Sequence, residues 1–393
     1  MNLFKINLFF KIWFFIYFCG MGLIVPQISP YFLNVFNFKN PGLIFLAGQI
    51  SMPFGALLSG YISDKTLHAR YIIIVKILIS SISIYILSLL PNLQGENIYE
   101  YAIVLWCLLT FSIGGTIPLV DVLFMQSGND PLFFGHFRLY GTLGFLVVNI
   151  PLLFLSLNSY VYMSYAFIFF LISSIIILFL PVKRNPRESE KSAAHWSQMI
   201  KLLRSPLMIF FLLMMFFFFI GYSSAEYVIS SYLSNINFIM QPIPFIWIIG
   251  TLVEIIFFIY SPYLIKKNGI MPLLSAGFAA GTLRNFILWM FIPGGGVLIW
   301  QFLHGIQFSG GYMGSLLFLE KKTHPRRLAT AQAMYLILAR STGTGLGAYF
   351  LGNLASENKY DMVFLLAFLG SFTALLMFFF FKNYQLKFKN FLG

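Results

Sequence analysis

An acid and a guanidinium stand close together where one apolar run ends and the next begins. They are Asp121, in Ile117-Pro118-Leu119-Val120-Asp121, and Arg138, in Phe137-Arg138-Leu139-Tyr140-Gly141-Thr142-Leu143-Gly144. A charge in a lipid-spanning segment costs roughly 2.5–3.5 kcal/mol on insertion scales, so such residues are seldom kept for packing alone. The glycines after Arg138 remove side-chain bulk and let another helix or a ligand come close. Further along, Glu226, Glu254, Arg284, His304 and Arg340 also interrupt apolar runs. In a lipid interior such groups hold a polar solute, exchange protons or neutralise one another.

Their spacing suggests which does what. On a helix, Tyr222, Ser223, Glu226 and Ser230 share one face, and His304, Gln307 and Gly311 share another. Glu254, Arg284 and His304 lie deepest in their runs and are assigned to solute or proton handling. A carboxylate near the membrane midplane suits proton coupling, because its ionisation responds to a neighbouring charge and to a solute that disturbs it. Glu226 and Arg340 read instead as a structural ion pair between helices. Asp121 and Arg138 have a plainer alternative, as membrane-edge groups that snorkel to the interface. With 48 phenylalanines in the chain, any single aromatic is first a packing or lipid-facing residue.

The elements that must position these side chains are set by composition. Of 393 residues, 59% are hydrophobic and only 9% charged, against about 25% charged in a soluble domain. Most of this chain must therefore face lipid. A spanning helix needs about 20 mostly apolar residues. Twelve stretches qualify, roughly 7–33, 41–62, 71–90, 100–125, 133–157, 160–181, 206–233, 242–265, 270–292, 296–319, 328–354 and 360–382. The first is too long for a signal peptide and lacks a small-residue cleavage pattern, so it is kept as a helix.

The net charge of +13 does not mark a nucleic-acid binder, because the basic residues sit in short loops between apolar runs. Alternate loops collect Lys65, Arg70, Lys183, Arg184, Lys266, Lys267, Lys321, Lys322, Arg326 and Arg327, whereas the opposite side carries only Lys39 and Lys359. By the positive-inside rule both termini are cytoplasmic. The longest polar interval, 182–205, reads as a cytoplasmic linker between six-helix halves at 1–181 and 206–393. Arg138-x-x-Gly141-Thr142-x-Gly144 in the fifth span is echoed by Arg340-x-x-Gly343-Thr344-Gly345-x-Gly347 in the eleventh, which suggests two pseudo-symmetric halves around a central cavity. Cys19 and Cys107 lie in apolar runs and read as buried hydrophobes, with no metal site and no disulfide.

The sequence carries no enzyme signature: no Walker A loop, no paired His/Cys ligands, no Gly-x-Ser-x-Gly and no Rossmann fingerprint. The expected protein is neither an enzyme nor an ATP-driven pump. It is expected to need no cofactor and to draw on a proton gradient.

Several motifs together resemble the major facilitator superfamily, and within it the phenylpropionate permease group related to lactose and nucleoside proton symporters. Pro118-Leu119-Val120-Asp121 is similar to that group's Pro-Leu-x-Asp, and Phe137-Arg138-Leu139-Tyr140-Gly141-Thr142 to its Val-Arg-Leu-Trp-Gly-Ser. Val253-Glu254-Ile255-Ile256, Arg284, Gln301-Phe302-Leu303-His304-Gly305 and Gln332-Ala333-x-Tyr335 match features of its helices eight to eleven. The resemblance implies that Asp121 and Arg138 stand at sugar-holding positions of the lactose permease, and Arg284 and His304 at its proton-coupling positions. Gln307 replaces that relative's proton-carrying Glu, which leaves Glu254 as the expected carrier and Asp121 second. The loop after the second span keeps Gly60-Tyr61-Ile62-Ser63-Asp64-Lys65 but lacks the family's later Gly.

The expectation is an all-α integral membrane protein of twelve transmembrane helices in the major facilitator fold, working as a monomer in a bacterial inner membrane. Asp121, Arg138, Arg284 and His304 would bind solute. Glu254 and Asp121 would couple protons. Its partners are a small-molecule substrate, protons and the lipid bilayer, with no nucleic acid. An aromatic carboxylate such as phenylpropionate is the first expected substrate, a sugar or nucleoside the alternative. A non-transporting receptor or assembly protein is the alternative of another class.

Overall fold

A computed structural model describes residues 3–36, 38, 40–66, 68–93, 95–126, 134–155, 158–179, 204–235, 242–291, 296–323 and 331–385. The protein is all-helical among these residues, and each of the twelve apolar stretches is helical. Among the described residues eight helical stretches are long and apolar enough to cross a membrane, Leu8–Gln27 and Tyr360–Lys382 being the first and last. Most of the remaining stretches are broken by a turn or a π-helical segment, and those interruptions matter below.

In chain order the helices are α1 (Leu3–Ile24), α2 (Pro41–Thr66), α3 (Ala69–Leu89), α4 (Ile98–Ile113), α5 (Thr116–Gln126), α6 (Phe134–Asn149) and α7 (Ser159–Phe179). There follow α8 (Pro206–Tyr227), α9 (Ile229–Asn235), α10 (Pro242–Asn268), α11 (Ile270–Met290), α12 (Gly296–Ile306), α13 (Gly314–Lys322), α14 (Thr342–Ser356) and α15 (Tyr360–Gln385). π-Helical turns occupy Pro30–Val35, Gln307–Met313 and Tyr335–Ser341. Such turns are rare and concentrate at functional sites.

The chain forms two compact units. One comprises Met1–Glu190 with Ile239–Ile248, the other Lys191–Phe238 with Ile249–Gly393. The interval expected to be a linker, 182–205, lies almost wholly outside the described residues. Within the first unit α1 packs on α6 and α7, and α3 packs on α7 and α4. The second unit repeats this scheme: α8 packs on α14 and α15, and α11 on α15, α12 and the following π turn. The two arrangements pair spans one with five and six, and seven with eleven and twelve.

The repeated glycines supply the reason. A Cβ at Gly144 would lie 2.1 Å from the Phe15 carbonyl oxygen of α1, and one at Gly347 would lie 2.2 Å from the Ser223 hydroxyl of α8. Lipid provides no hydrophobic drive between helices, so close backbone approach through small residues is a main source of packing energy. The glycines downstream of Arg138 and Arg340 therefore seat one helix on another.

Polar side chains close the units internally. Asn285 of α11 is fully buried, and its Nδ2 faces the carbonyls of Gly221 at 3.0 Å and Ala367 at 3.2 Å and the Ser371 hydroxyl at 2.6 Å. Its Oδ1 accepts from Ser224 at 3.2 Å. One amide thus links α8, α11 and α15. In the first unit Asn149 donates to the Gly22 carbonyl at 3.3 Å and Cys19 to that of Gly144 at 3.3 Å, across the α1–α6 contact. Cys19 and Cys107 are both free thiols.

Candidate functional site

The second unit gathers five of the residues singled out from the sequence, Glu226, Glu254, Arg284, His304 and Arg340. Glu254 lies on α10 and His304 on α12, and Glu254 Oε1 stands 3.3 Å from His304 Nε2. Small residues permit this approach. A Cβ at Gly250 would meet the Gln301 amide at 2.5 Å, and one at Gly305 would meet Val253 at 2.6 Å. The carboxylate keeps 16% of its side chain exposed, the imidazole only 4%. Tyr222 and Phe308 stack against the imidazole, with ring centroids 5.8 and 6.4 Å away. Tyr222 comes from α8, whose polar face the sequence pattern had anticipated.

Arg284 of α11 is completely buried. Its guanidinium lies over the Trp300 ring, 4.1 Å from the centroid, and its Nη1 donates to the Gln307 side-chain carbonyl. Nε and Nη2 of Arg284, and Nε2 of Gln307, have no hydrogen-bond partner among the described residues. Buried polar groups are normally satisfied, so this guanidinium retains donors for a further acceptor. The charges of Glu254 and Glu226 both act on it.

Arg340 sits in the second π turn of this unit. It donates from Nη1 to the Tyr312 hydroxyl at 2.9 Å, and its guanidinium carbon lies 4.5 Å from the Tyr312 ring centroid. Tyr312 belongs to the other π turn, so the two irregular segments meet through this pair. Glu226 feels the charge of Arg340, but no ion pair within 4 Å joins them among the described residues; the direct partner of Arg340 is Tyr312. Tyr335 extends the cluster, its hydroxyl 2.6 Å from that of Ser315.

Burial sorts these residues into two layers. Glu226, Glu254, Phe308, Tyr312 and Arg340 are half-buried, whereas Arg284, His304 and Gln307 are buried behind them. In this conformation Glu254 is more accessible than His304 or Arg284. Chemically, the front layer offers two carboxylates, one guanidinium and aromatic rings. The back layer holds the acid through a hydrogen bond and a positive charge.

The first unit places its candidates differently. Arg138 is half-buried near the start of α6, and Lys11 lies 5.1 Å from the ring centroid of the neighbouring Tyr140. Asp121 lies on α5, and its side chain is outside the described residues. Lys76, Trp300 and Tyr312 were not selected from the sequence. Lys76 left a visible signal, a lone cation inside the apolar run of α3. Trp300 and Tyr312 left none among so many aromatics. Among the described residues no group of three or more His, Cys, Asp or Glu could hold a metal.

Comparison with known proteins places this geometry in a context. Residues 7–366 match the model of the MFS_1 like family. The chain is 23% identical over 374 residues to the nucleoside permease NupG of Escherichia coli (strain K12), covering 88% of this chain and 86% of that protein. The crystal structure of nucleoside transporter NupG superposes with a TM-score of 0.73 at 20% identity, over 98% of this chain and 99% of that one. The crystal structure of a D-xylose-proton symporter gives 0.72 at 16% identity, over 97% of both chains.

Proposed function

The chain belongs to the MFS_1 like family, and from that premise we propose that it is a proton-coupled transporter of a neutral, hydroxyl-bearing solute of the nucleoside or sugar kind. It is a major facilitator transporter and not an enzyme. The observation that carries the finer reading is charge balance. In the second unit two acids, Glu226 and Glu254, face two guanidiniums, Arg284 and Arg340. An anionic solute needs a cation left in excess, because burying an unpaired charge is costly. A neutral solute with hydroxyl and ring groups needs acceptors, donors and an aromatic wall, and the accessible layer supplies all three.

Two further points support this reading. The similar proteins include a nucleoside permease and a D-xylose-proton symporter, which favours the nucleoside-or-sugar alternative over an aromatic carboxylate. The Glu254–His304 contact joins a partly exposed acid to a buried base, so a solute touching Glu254 would alter the group that holds a proton. Glu254 is proposed as the proton carrier, with Arg284 and His304 as its support. Arg138 and Asp121 are proposed as solute contacts of the first unit. We also assign the protein to a bacterial inner membrane with both termini cytoplasmic and with 182–205 linking the halves, as the distribution of basic residues supports.

The test is uptake into proteoliposomes with an imposed inward proton gradient, using radiolabelled uridine, D-xylose and phenylpropionate. Uridine or xylose should accumulate above equilibrium, and phenylpropionate should not. Saturable phenylpropionate uptake that disappears in Arg284→Ala, with neither neutral solute moved, would overturn the proposal.

A further inference from the structure

Lys76 has no part in the function argued above, although only 5% of it is exposed. Its Nζ donates to the Gly55 carbonyl of α2 at 3.0 Å and to the Phe111 carbonyl of α4 at 3.1 Å. It also lies 5.3 Å from the Phe111 ring centroid. These carbonyls mark the closest approach of α2 and α4, where a Cβ at Gly55 would lie 1.8 Å from the Phe111 oxygen. Three helices are therefore tied at one ammonium.

The tie sits where the fourth span breaks. Gly114 adopts ψ 128° and Gly115 the left-handed φ of 78°, so α4 stops and a new helix begins at Thr116. In an unbroken helix the Gly115 amide would donate to the Phe111 carbonyl, four residues back. The turn removes that donor, and Lys76 takes its place. The carbonyl end of a helix carries partial negative charge, which a cation satisfies best. Neighbouring hydroxyls complete the cap: Ser59 donates to the Gly55 carbonyl at 2.7 Å and Thr116 to the Ser112 carbonyl at 2.7 Å.

We propose that Lys76 is a positioning residue, a tethered cation that caps the broken fourth span and sets how α5 carries Asp121. Backbone groups without partners are not tolerated inside a membrane, so the break persists only where a donor is supplied. Because that donor hangs from α3, any displacement of α3 is passed to the end of α4 through the Phe111 hydrogen bond and to α2 through the Gly55 one. This role is independent of which solute is carried.

Hydrogen–deuterium exchange of the purified full-length protein in nanodiscs tests it without a solute. Lys76→Met should speed exchange of amides in residues 112–120 by about tenfold, the size expected for losing a charge-assisted hydrogen bond. Amides of α1, α6 and α7 should be unchanged, and Lys76→Arg should restore wild-type exchange. Should the Met variant fail to accumulate, Lys76→Gln, which keeps donors without charge, should show the same local rise. Unchanged exchange at 112–120, or a rise spread evenly over the first unit, would overturn the proposal and leave Lys76 an ordinary packing residue.

Discussion

The two units use one packing scheme and part company at corresponding places. In each, a buried cation on the third span of the unit reaches an irregular point in the fourth. Lys76 meets the Gly114–Gly115 break, and Arg284 meets the π turn that opens at Gln307. Lys76 is satisfied by main-chain carbonyls, which no solute can displace without breaking the helix contact. Arg284 is held by one side chain and an aromatic face, with two nitrogens unfilled among the described residues. The same architectural position therefore suits the mechanical role proposed in one unit and the chemical role proposed in the other. What separates them is whether the acceptor is backbone or side chain.

The largest effect should come from the chemical side of that contrast. Glu254→Gln removes the acid facing His304, and concentrative uptake should fall to simple equilibration while solute counterflow persists. Gradient-driven accumulation and counterflow in the same vesicles would check this; retained accumulation would place the proton elsewhere. Asn285→Ala tests whether the second unit also has a purely mechanical knot. It deletes hydrogen bonds joining three helices, and at about 0.6 kcal/mol per membrane hydrogen bond the loss should be about 2 kcal/mol. Detergent unfolding would measure it, with uptake per folded molecule unchanged.

A smaller change should follow Tyr312→Phe, which keeps the ring beneath Arg340 but removes the hydroxyl acceptor. Stability should drop by about 1 kcal/mol. The apparent solute affinity should shift as well, because the pair lies in the accessible layer. A stability change with no effect on affinity would move Arg340 and Tyr312 to the mechanical side. Breaking the exposed Glu357–Lys359 pair should do least, since surface ion pairs contribute little; Lys359→Ala should leave both unfolding and uptake at wild-type values.

Much of the fold was legible because lipid imposes simple rules. An unsatisfied backbone is excluded from the bilayer, so long apolar runs have to be helices, and the twelve spans follow from counting. The echo between Arg138 and Arg340 was legible too, yet its glycines proved to be contacts with the first helix of each unit. Glu254, Arg284 and His304 stood out as costly residues at interior positions, and they do cluster. The sequence offered no way to see that Arg340 has Tyr312 as its direct partner and not Glu226. That choice depends on two π turns shifting helical phase, and a shift of one residue is invisible to a 3.6-residue pattern.

The sequence by itself determined that this is a polytopic helical membrane protein with two related halves and ionisable groups inside its apolar spans. Hydrophobicity and charge cost act on each segment separately, so they can be read from a linear chain. Only tertiary structure decided which ionisable groups meet, which are buried behind others, and that Lys76 caps a broken helix instead of binding solute. Those outcomes depend on the distance and direction of atoms from different helices, which no single segment contains.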